Sequence, residues 1–314
     1  MPIEIIKYAP QYHEEWNSFV KKASNATFLF EREYMEYHSD RFNDCSLMFF
    51  CGKKLLALLP ANILPEEDIL QTHGGLTYGG LITLPKTRAT EVIEIFAALR
   101  DYMRNTLNVK SLLYKAIPYI YNTTPADAPL YALFHSGAKI IARSISTTID
   151  NSNRQALGEQ RKRGIKRAGK VGIICRPSLQ FREFWDILTN NLRTVHNCTP
   201  THTLEEIELL RKRFPENIKL YTANIESDIV AGIVVYETKN VAHFQYIAAS
   251  SKGKANGALD ALVAYLMNVY INVRYIDFGI STEQNGRILN EGLIEQKEGF
   301  GGRAVVYDTY ELNV

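Results

Sequence analysis

One order of strands and helices occurs twice along the chain, and any fold must accommodate both copies. In the first half, residues 47–50 read as a strand, 51–54 as a turn and 55–63 as a second strand. An apolar, glycine-bearing stretch follows at 69–84, then a helix over 88–107 and a strand over 111–116. The second half runs 219–225, a turn at 226–228, then 229–237 and 241–249, a helix over 257–270 and a strand over 274–280. Each helix carries one apolar stripe: Val92, Phe96, Leu99 and Met103 in the first, Leu259, Leu262, Val263, Leu266, Met267 and Tyr270 in the second. Such spacings bury one helix face against a sheet. Each copy is thus an antiparallel meander that enters a parallel pair through one helical crossover. Helical segments precede both copies, at 12–22 and 31–38 and at 181–196 and 204–213, the last opened by Thr203 with Glu206 at capping-box spacing. Trp16 and Trp185 fall in these segments and read as core.

A chain of 314 residues suits two such units. The expected division is 1–150 and 151–314, with residues 146–172 as the link. Hydrophobic residues at 46% and charged residues at 22% exclude a mainly disordered chain. No apolar run approaches the roughly 20 residues that span a bilayer, and the first residues lack the pattern of a signal peptide, so a cytoplasmic location is expected. Four cysteines without metal-site spacing imply free thiols and no metal. The net charge of +2 argues against a generic nucleic-acid coat. It hides a segment, 154–170, in which seven cations face one acid, leaving the rest of the chain net acidic.

Two segments could hold an anion. The residues after strand 241–249 are Ser250, Ser251, Lys252, Gly253, Lys254, Ala255, Asn256 and Gly257, between a strand and a helix N-terminus. Such a turn aims backbone N–H groups and a helix dipole at one spot, as pyrophosphate binding requires. A plain polar turn has the same composition. Within the basic segment, Arg163, Lys166 and Arg167 are helical neighbours suited to a phosphate-bearing substrate or, equally, to a solvated helix face.

The strand–turn–helix–strand order with that turn resembles the GNAT acyltransferases, whose coenzyme A loop reads Gln/Arg-x-x-Gly-x-Gly/Ala. Here it is Ser250-x-x-Gly253-x-Ala255. Asp277-Phe278-Gly279, then Gly292-Leu293, Gln296-Lys297 and Phe300-Gly301-Gly302, resemble the Fem-type aminoacyltransferases of peptidoglycan bridge synthesis and related tandem GNAT proteins of bacterial surface-polysaccharide clusters. Gln296 stands where those have Phe. The basic helix 161–168 and Tyr78-Gly79-Gly80 extend the resemblance to both halves. It implies an α/β fold of two tandem GNAT-like domains, mixed sheets flanked by helices. It also implies transfer of an acyl group, acetyl by first expectation, from acyl-CoA to an amine on an anionic glycan or peptidoglycan precursor. The alternatives are aminoacyl-tRNA as donor, or a degenerate protein that only binds a nucleotide-sugar. Within that fold His243 and Gln245 lie on the central strand beside the reacting thioester, His243 as base or as a satisfied core histidine. Glu283 is a second candidate base or an exposed loop carboxylate. Tyr78 would line the substrate cleft or belong to a tight bend. Lys297 would hold a phosphate or the oxyanion, or else complement a helix C-terminus as a surface cation.

Overall fold

The computed structural model describes residues 2–314, without the side chains of residues 195 and 196. The chain forms two compact units. The first comprises Met1–Ser144, Thr282–Ile288 and Val306–Val314, and the second Ile145–Ser281 and Leu289–Val305. The first unit therefore includes two segments from the last part of the chain, which a contiguous 1–150 and 151–314 division leaves out.

In the first unit, strands Ile3–Lys7, Leu47–Cys51, Lys54–Leu59 and Ile82–Thr83 pair antiparallel in that order. Pro60 interrupts the third, and Asn62–Leu64 continues against Ile69–Gln71, which pairs in parallel with Ser111–Lys115. Helix Ala89–Tyr102 makes the crossover, its Arg88 N–H donating to the Glu91 carboxylate. Val92, Phe96, Leu99 and Met103 are all buried in one core with Leu47, Phe49 and Leu112. The helix expected to run to residue 107 instead widens into a π turn at Met103–Leu107 and ends at left-handed Asn108.

In the second unit, Ile174–Ser178, Ile218–Ile225, Asp228–Glu237 and Val241–Ala249 form the meander. Helix Ala258–Val269 carries the chain to Tyr275–Ile280, parallel to Val241–Ala249. Leu262, Val263, Leu266 and Met267 pack with Ala223, Ile233, Phe244 and Phe278 on one sheet face. The helix Phe181–His196 covers the other, where Trp185 meets the Tyr246 ring edge-on at 5.0 Å. The Thr203–Glu206 capping box forms as the spacing predicts.

The expected link at 146–172 is a link only in its middle. Its first residues belong to strand Lys139–Asp150, whose end pairs with Tyr275–Ile280. The β-branched residues Thr147, Thr148 and Ile149, led by Ser146, are the reason: side chains alternate across the pleat and all four residues are buried.

Candidate functional site

The parallel pair Val241–Ala249 and Tyr275–Ile280 keeps register for only three positions, ending at His243 opposite Asp277. Beyond them the two strands no longer pair. Gln245 lies at a bulge on the other edge, between the pairs Val235↔Phe244 and Val234↔Tyr246. The bulge puts His243 and Tyr246, three residues apart, on the same sheet face. Gly279, in a left-handed conformation at φ 76°, turns the end of its strand beside the imidazole; a Cβ there would lie 3.5 Å from His243 Cε1.

Asp277 is fully buried and fully engaged. His243 Nδ1 lies 2.8 Å from its Oδ2. Thr148 donates to Oδ1 at 2.8 Å, and Ser146 Oγ donates to the same oxygen. Burial alone would raise its pKa, but the imidazole and the two hydroxyls outweigh it and hold the carboxyl below the usual carboxylate range. The acceptor at Nδ1 fixes the ring so that its proton stays on that nitrogen. His243 Nε2 makes no hydrogen bond among the described residues, and the side chain keeps 11% of its surface exposed. A buried carboxylate orienting an accessible imidazole is the arrangement of a general base. The sequence reading named Asp277 only as part of the Fem-like Asp-Phe-Gly motif, not as a partner of His243, and did not name Ser146 or Thr148; an aspartate inside the apolar run 275–280 was the available signal.

Lys297 is neither a surface cation nor a free donor. Helix Glu291–Glu298 buries it, and its ammonium donates to Gly279 O at 2.8 Å, Ile280 O at 2.9 Å and Ser281 Oγ at 2.9 Å. All three N–H bonds are committed to the end of the strand that carries Asp277. Burial pushes its pKa down to about 8, the Asp277 charge opposing.

The residues Ser250–Gly257 do not form an open turn. Ser251–Asn256 is a short helix capped by Ser250 Oγ, which accepts from Gly253 N–H at 3.2 Å. Lys254 N–H donates to Ser250 O and Gly257 N–H to Lys254 O. The Lys252 ammonium pairs with Asp228 at 3.3 Å and that of Lys254 with Asn191 at 3.1 Å. A Cβ at Gly253 would meet Val230 O at 2.1 Å, and one at Gly257 would meet Gly164 O at 2.3 Å. The glycines thus serve close packing. The start of helix Ala258–Val269 is backed by the Gly164 carbonyl and by its own Asp260, paired with Arg161 at 2.6 Å. A pyrophosphate at that helix start would meet a carbonyl and a carboxylate, so Ser250–Gly257 does not form a pyrophosphate cradle.

The remaining candidates separate. Arg163, Lys166 and Arg167 are exposed on helix Glu159–Val171 of the second unit. Tyr78 is buried in the first unit, its hydroxyl 3.1 Å from Thr27 Oγ1 and its ring 4.3 Å from that of Tyr121. Glu283 is exposed in the short strand Thr282–Glu283, which belongs to the first unit, whereas His243 belongs to the second. No group of three or more His, Cys, Asp or Glu among the described residues could hold a metal. No helix among them is long and apolar enough to cross a membrane.

Neither a protein-family model nor a curated protein matches the sequence. Solved structures do match. The crystal structure of FemX superposes with a TM-score of 0.68 at 10% identity, over 99% of this chain and 97% of that one. L-PGS from Bacillus licheniformis gives 0.63 at 12%, over 98% and 92%. A tandem GNAT protein from the clavulanic acid biosynthesis pathway gives 0.51 at 11%, over 99% and 98%. The chain has a tandem GNAT, Fem-like fold. The repeat seen in the sequence is the repeat of that fold, and the splayed strand pair with its His–Asp dyad lies in the second GNAT-like unit.

Proposed function

We infer that the protein is an acyltransferase that moves an acyl group from an activated ester to an amine, with His243 as general base and Asp277 as its orienting carboxylate. The observation that carries this reading is the dyad itself, a buried, hydrogen-bonded carboxylate behind an imidazole whose Nε2 is uncommitted, where two parallel strands part. The amine attacks the acyl carbonyl, and its excess proton passes to His243 Nε2. Asp277 stabilises the imidazolium. Collapse of the tetrahedral intermediate breaks the acyl C–O bond, and the leaving alkoxide takes the proton back. The edge of residues 244–249 that has lost its parallel partner supplies main-chain N–H groups for the oxyanion.

The donor is an aminoacyl ester of the aminoacyl-tRNA class. The packed Ser250–Gly257 segment argues against acyl-CoA, and the basic flank of helix Glu159–Val171 argues for a polyanionic donor. The acceptor is an amine on an anionic glycan or peptidoglycan precursor, as the Fem-like fold suggests. Lys297 acts as a positioning residue for the Gly279–Ser281 strand end, and Tyr78 as a packing residue. Gln245 at the bulge borders the acceptor's path.

The test offers purified protein a labelled aminoacyl-tRNA mixture and, separately, acetyl-CoA, each with a nucleotide-linked muropeptide precursor. Transfer from aminoacyl-tRNA that falls by about 10²-fold or more in His243→Ala supports the reading. Transfer from acetyl-CoA alone, or full activity in His243→Ala, overturns it.

A further inference from the structure

Helix Glu159–Val171 divides its cations between two flanks. Lys162, Lys166 and Lys170 are exposed opposite the buried Gly164 and Ala168, with Lys162 paired to Glu159 at 2.7 Å. Arg163, Gly164 and Arg167 stand three, four and seven residues after Gln160, on one side of the helix. With Arg161 and Asp260 they line an open cleft of about 410 Å³. Arg161 is part of the wall: it donates to Asp260 Oδ1 at 2.6 Å and lies over the Phe300 ring at 5.4 Å. Arg163 and Arg167 make no hydrogen bond among the described residues, although the Arg167 charge acts on Asp260 and that of Arg163 on Glu159. Asp260 Oδ2 accepts no hydrogen bond among them either, yet it packs so tightly on the helix backbone that a Cβ at Gly164 would lie 1.9 Å away.

Two uncommitted guanidinium groups one turn apart suit the oxygens of a phosphate. A carboxylate oxygen in the same cleft suits a hydroxyl on the same molecule. A bare phosphate would leave Asp260 facing an anion, and a neutral sugar would leave the guanidinium groups without a partner. We propose that this cleft binds a ribose phosphate, Arg163 and Arg167 holding the phosphate and Asp260 Oδ2 accepting from a ribose hydroxyl, with Gln160 at the rim. Only the identification of that ligand with the acyl donor rests on the acyl-transfer reading. The wall of the cleft is tied to the reacting strand: Phe300 stacks on Phe278 at 5.7 Å, and Phe278 follows Asp277.

The experiment measures binding of a short labelled ribo-oligonucleotide and its deoxyribo counterpart, with adenosine 5′-monophosphate as competitor. Arg163→Gln/Arg167→Gln empties the cleft flank, and Lys162→Gln/Lys166→Gln removes as many charges from the outer flank. The cleft variant should weaken the ribo-oligonucleotide by about tenfold or more, and the outer-flank variant by less than about threefold. Wild type should prefer ribose to deoxyribose, and Asp260→Asn should erase that preference. Adenosine 5′-monophosphate that competes assigns the site to a single nucleotide; failure to compete assigns it to the polymer, and both outcomes keep the ribose phosphate. Equal losses in the two double variants, or no preference for ribose in wild type, overturn the proposal without relying on Asp260→Asn to fold. Intact binding in His243→Ala, with no transfer by wild type, would retain the cleft and remove the acyl-transfer reading. Transfer that both double variants support equally would do the reverse.

Discussion

The two units share one order of strands, a meander that enters a parallel pair, and differ at the last position of that pair and in the course of one strand beyond it. In each, three pairs define the parallel contact: Ile69↔Ser111, Leu70↔Leu112 and Gln71↔Leu113 in the first, Val241↔Tyr275, Ala242↔Ile276 and His243↔Asp277 in the second. The third pair is an amide beside an aliphatic residue in one copy and an imidazole beside a buried carboxylate in the other. The strand that follows differs too. Between the pairs Leu58↔Ile82 and Asn62↔Gln71 of the first unit, ten residues, 72–81, oppose three, so the strand leaves the sheet in a long excursion. The second unit has only the bulge at Gln245. One fold thus carries an amide beside an aliphatic side chain in one copy and an imidazole beside a carboxylate in the other, and the proposed proton transfer rests on that last parallel pair.

The largest expected effect tests that asymmetry directly. His243→Ala should lower turnover by about 10²- to 10⁴-fold, while Gln71→Ala, at the matching register, should leave it within about twofold. Comparable losses at both positions, read by initial rates, would break the comparison.

Asp277→Asn comes next. It removes the charge behind the imidazole and leaves Ser146 and Thr148 without an anionic acceptor, so it should cost about 3–5 kcal/mol of stability as well as activity. The folded-state pKa of Asp277 is depressed. Its stabilisation is therefore complete above the ordinary carboxylate range and lost as pH falls through the folded value. Thermal melts across acidic pH should show wild type approaching Asp277→Asn; a constant gap between the two would contradict the buried-carboxylate reading.

Gly257→Ala sharpens the comparison at the crossover helix. The residue sits at φ 73°, against the Gly164 carbonyl, and the substitution should cost about 1–3 kcal/mol or more, visible in denaturant melts. A neutral result would reopen the Ser250–Gly257 segment as an anion cradle.

The smallest effect is shared by both units. Lys115 donates to the Gly74 and Leu76 carbonyls in the first, as Lys297 does to Gly279 and Ile280 in the second, and burial lowers each pKa to about 8. Because each folded value lies below the ordinary 10.5, the unfolded chain holds these protons more firmly. The contribution of each lysine to stability should therefore rise between about pH 8 and 10.5. Lys115→Met and Lys297→Met should each flatten part of that rise in thermal melts. A rise unchanged in both would mean that other groups carry it.

By itself the sequence determined the elements and their repetition. The stripes Val92-Phe96-Leu99-Met103 and Leu262-Val263-Leu266-Met267, the turns at 51–54 and 226–228 and the Thr203–Glu206 cap are local, because helix periodicity, turn chemistry and capping involve residues a few positions apart. It also marked His243 and Lys297, both through the resemblance: the first by its place on the central strand of the GNAT-like order, the second by its Fem-like surroundings. Tertiary structure alone decided what they do. His243 and Asp277 are 34 residues apart and meet only because a parallel register aligns them. Ser146 and Thr148 reach the same carboxylate from a strand more than a hundred residues earlier. The composition of 250–257 was equally that of a cradle and of a packed turn, and the choice fell to Val230 and Gly164, whose carbonyls fill the space above its glycines. Lys297 became a committed donor because the carbonyls of Gly279 and Ile280 turn towards it. Register, burial and the partners of buried polar atoms are long-range quantities, set when the strands assemble and not by neighbours along the chain.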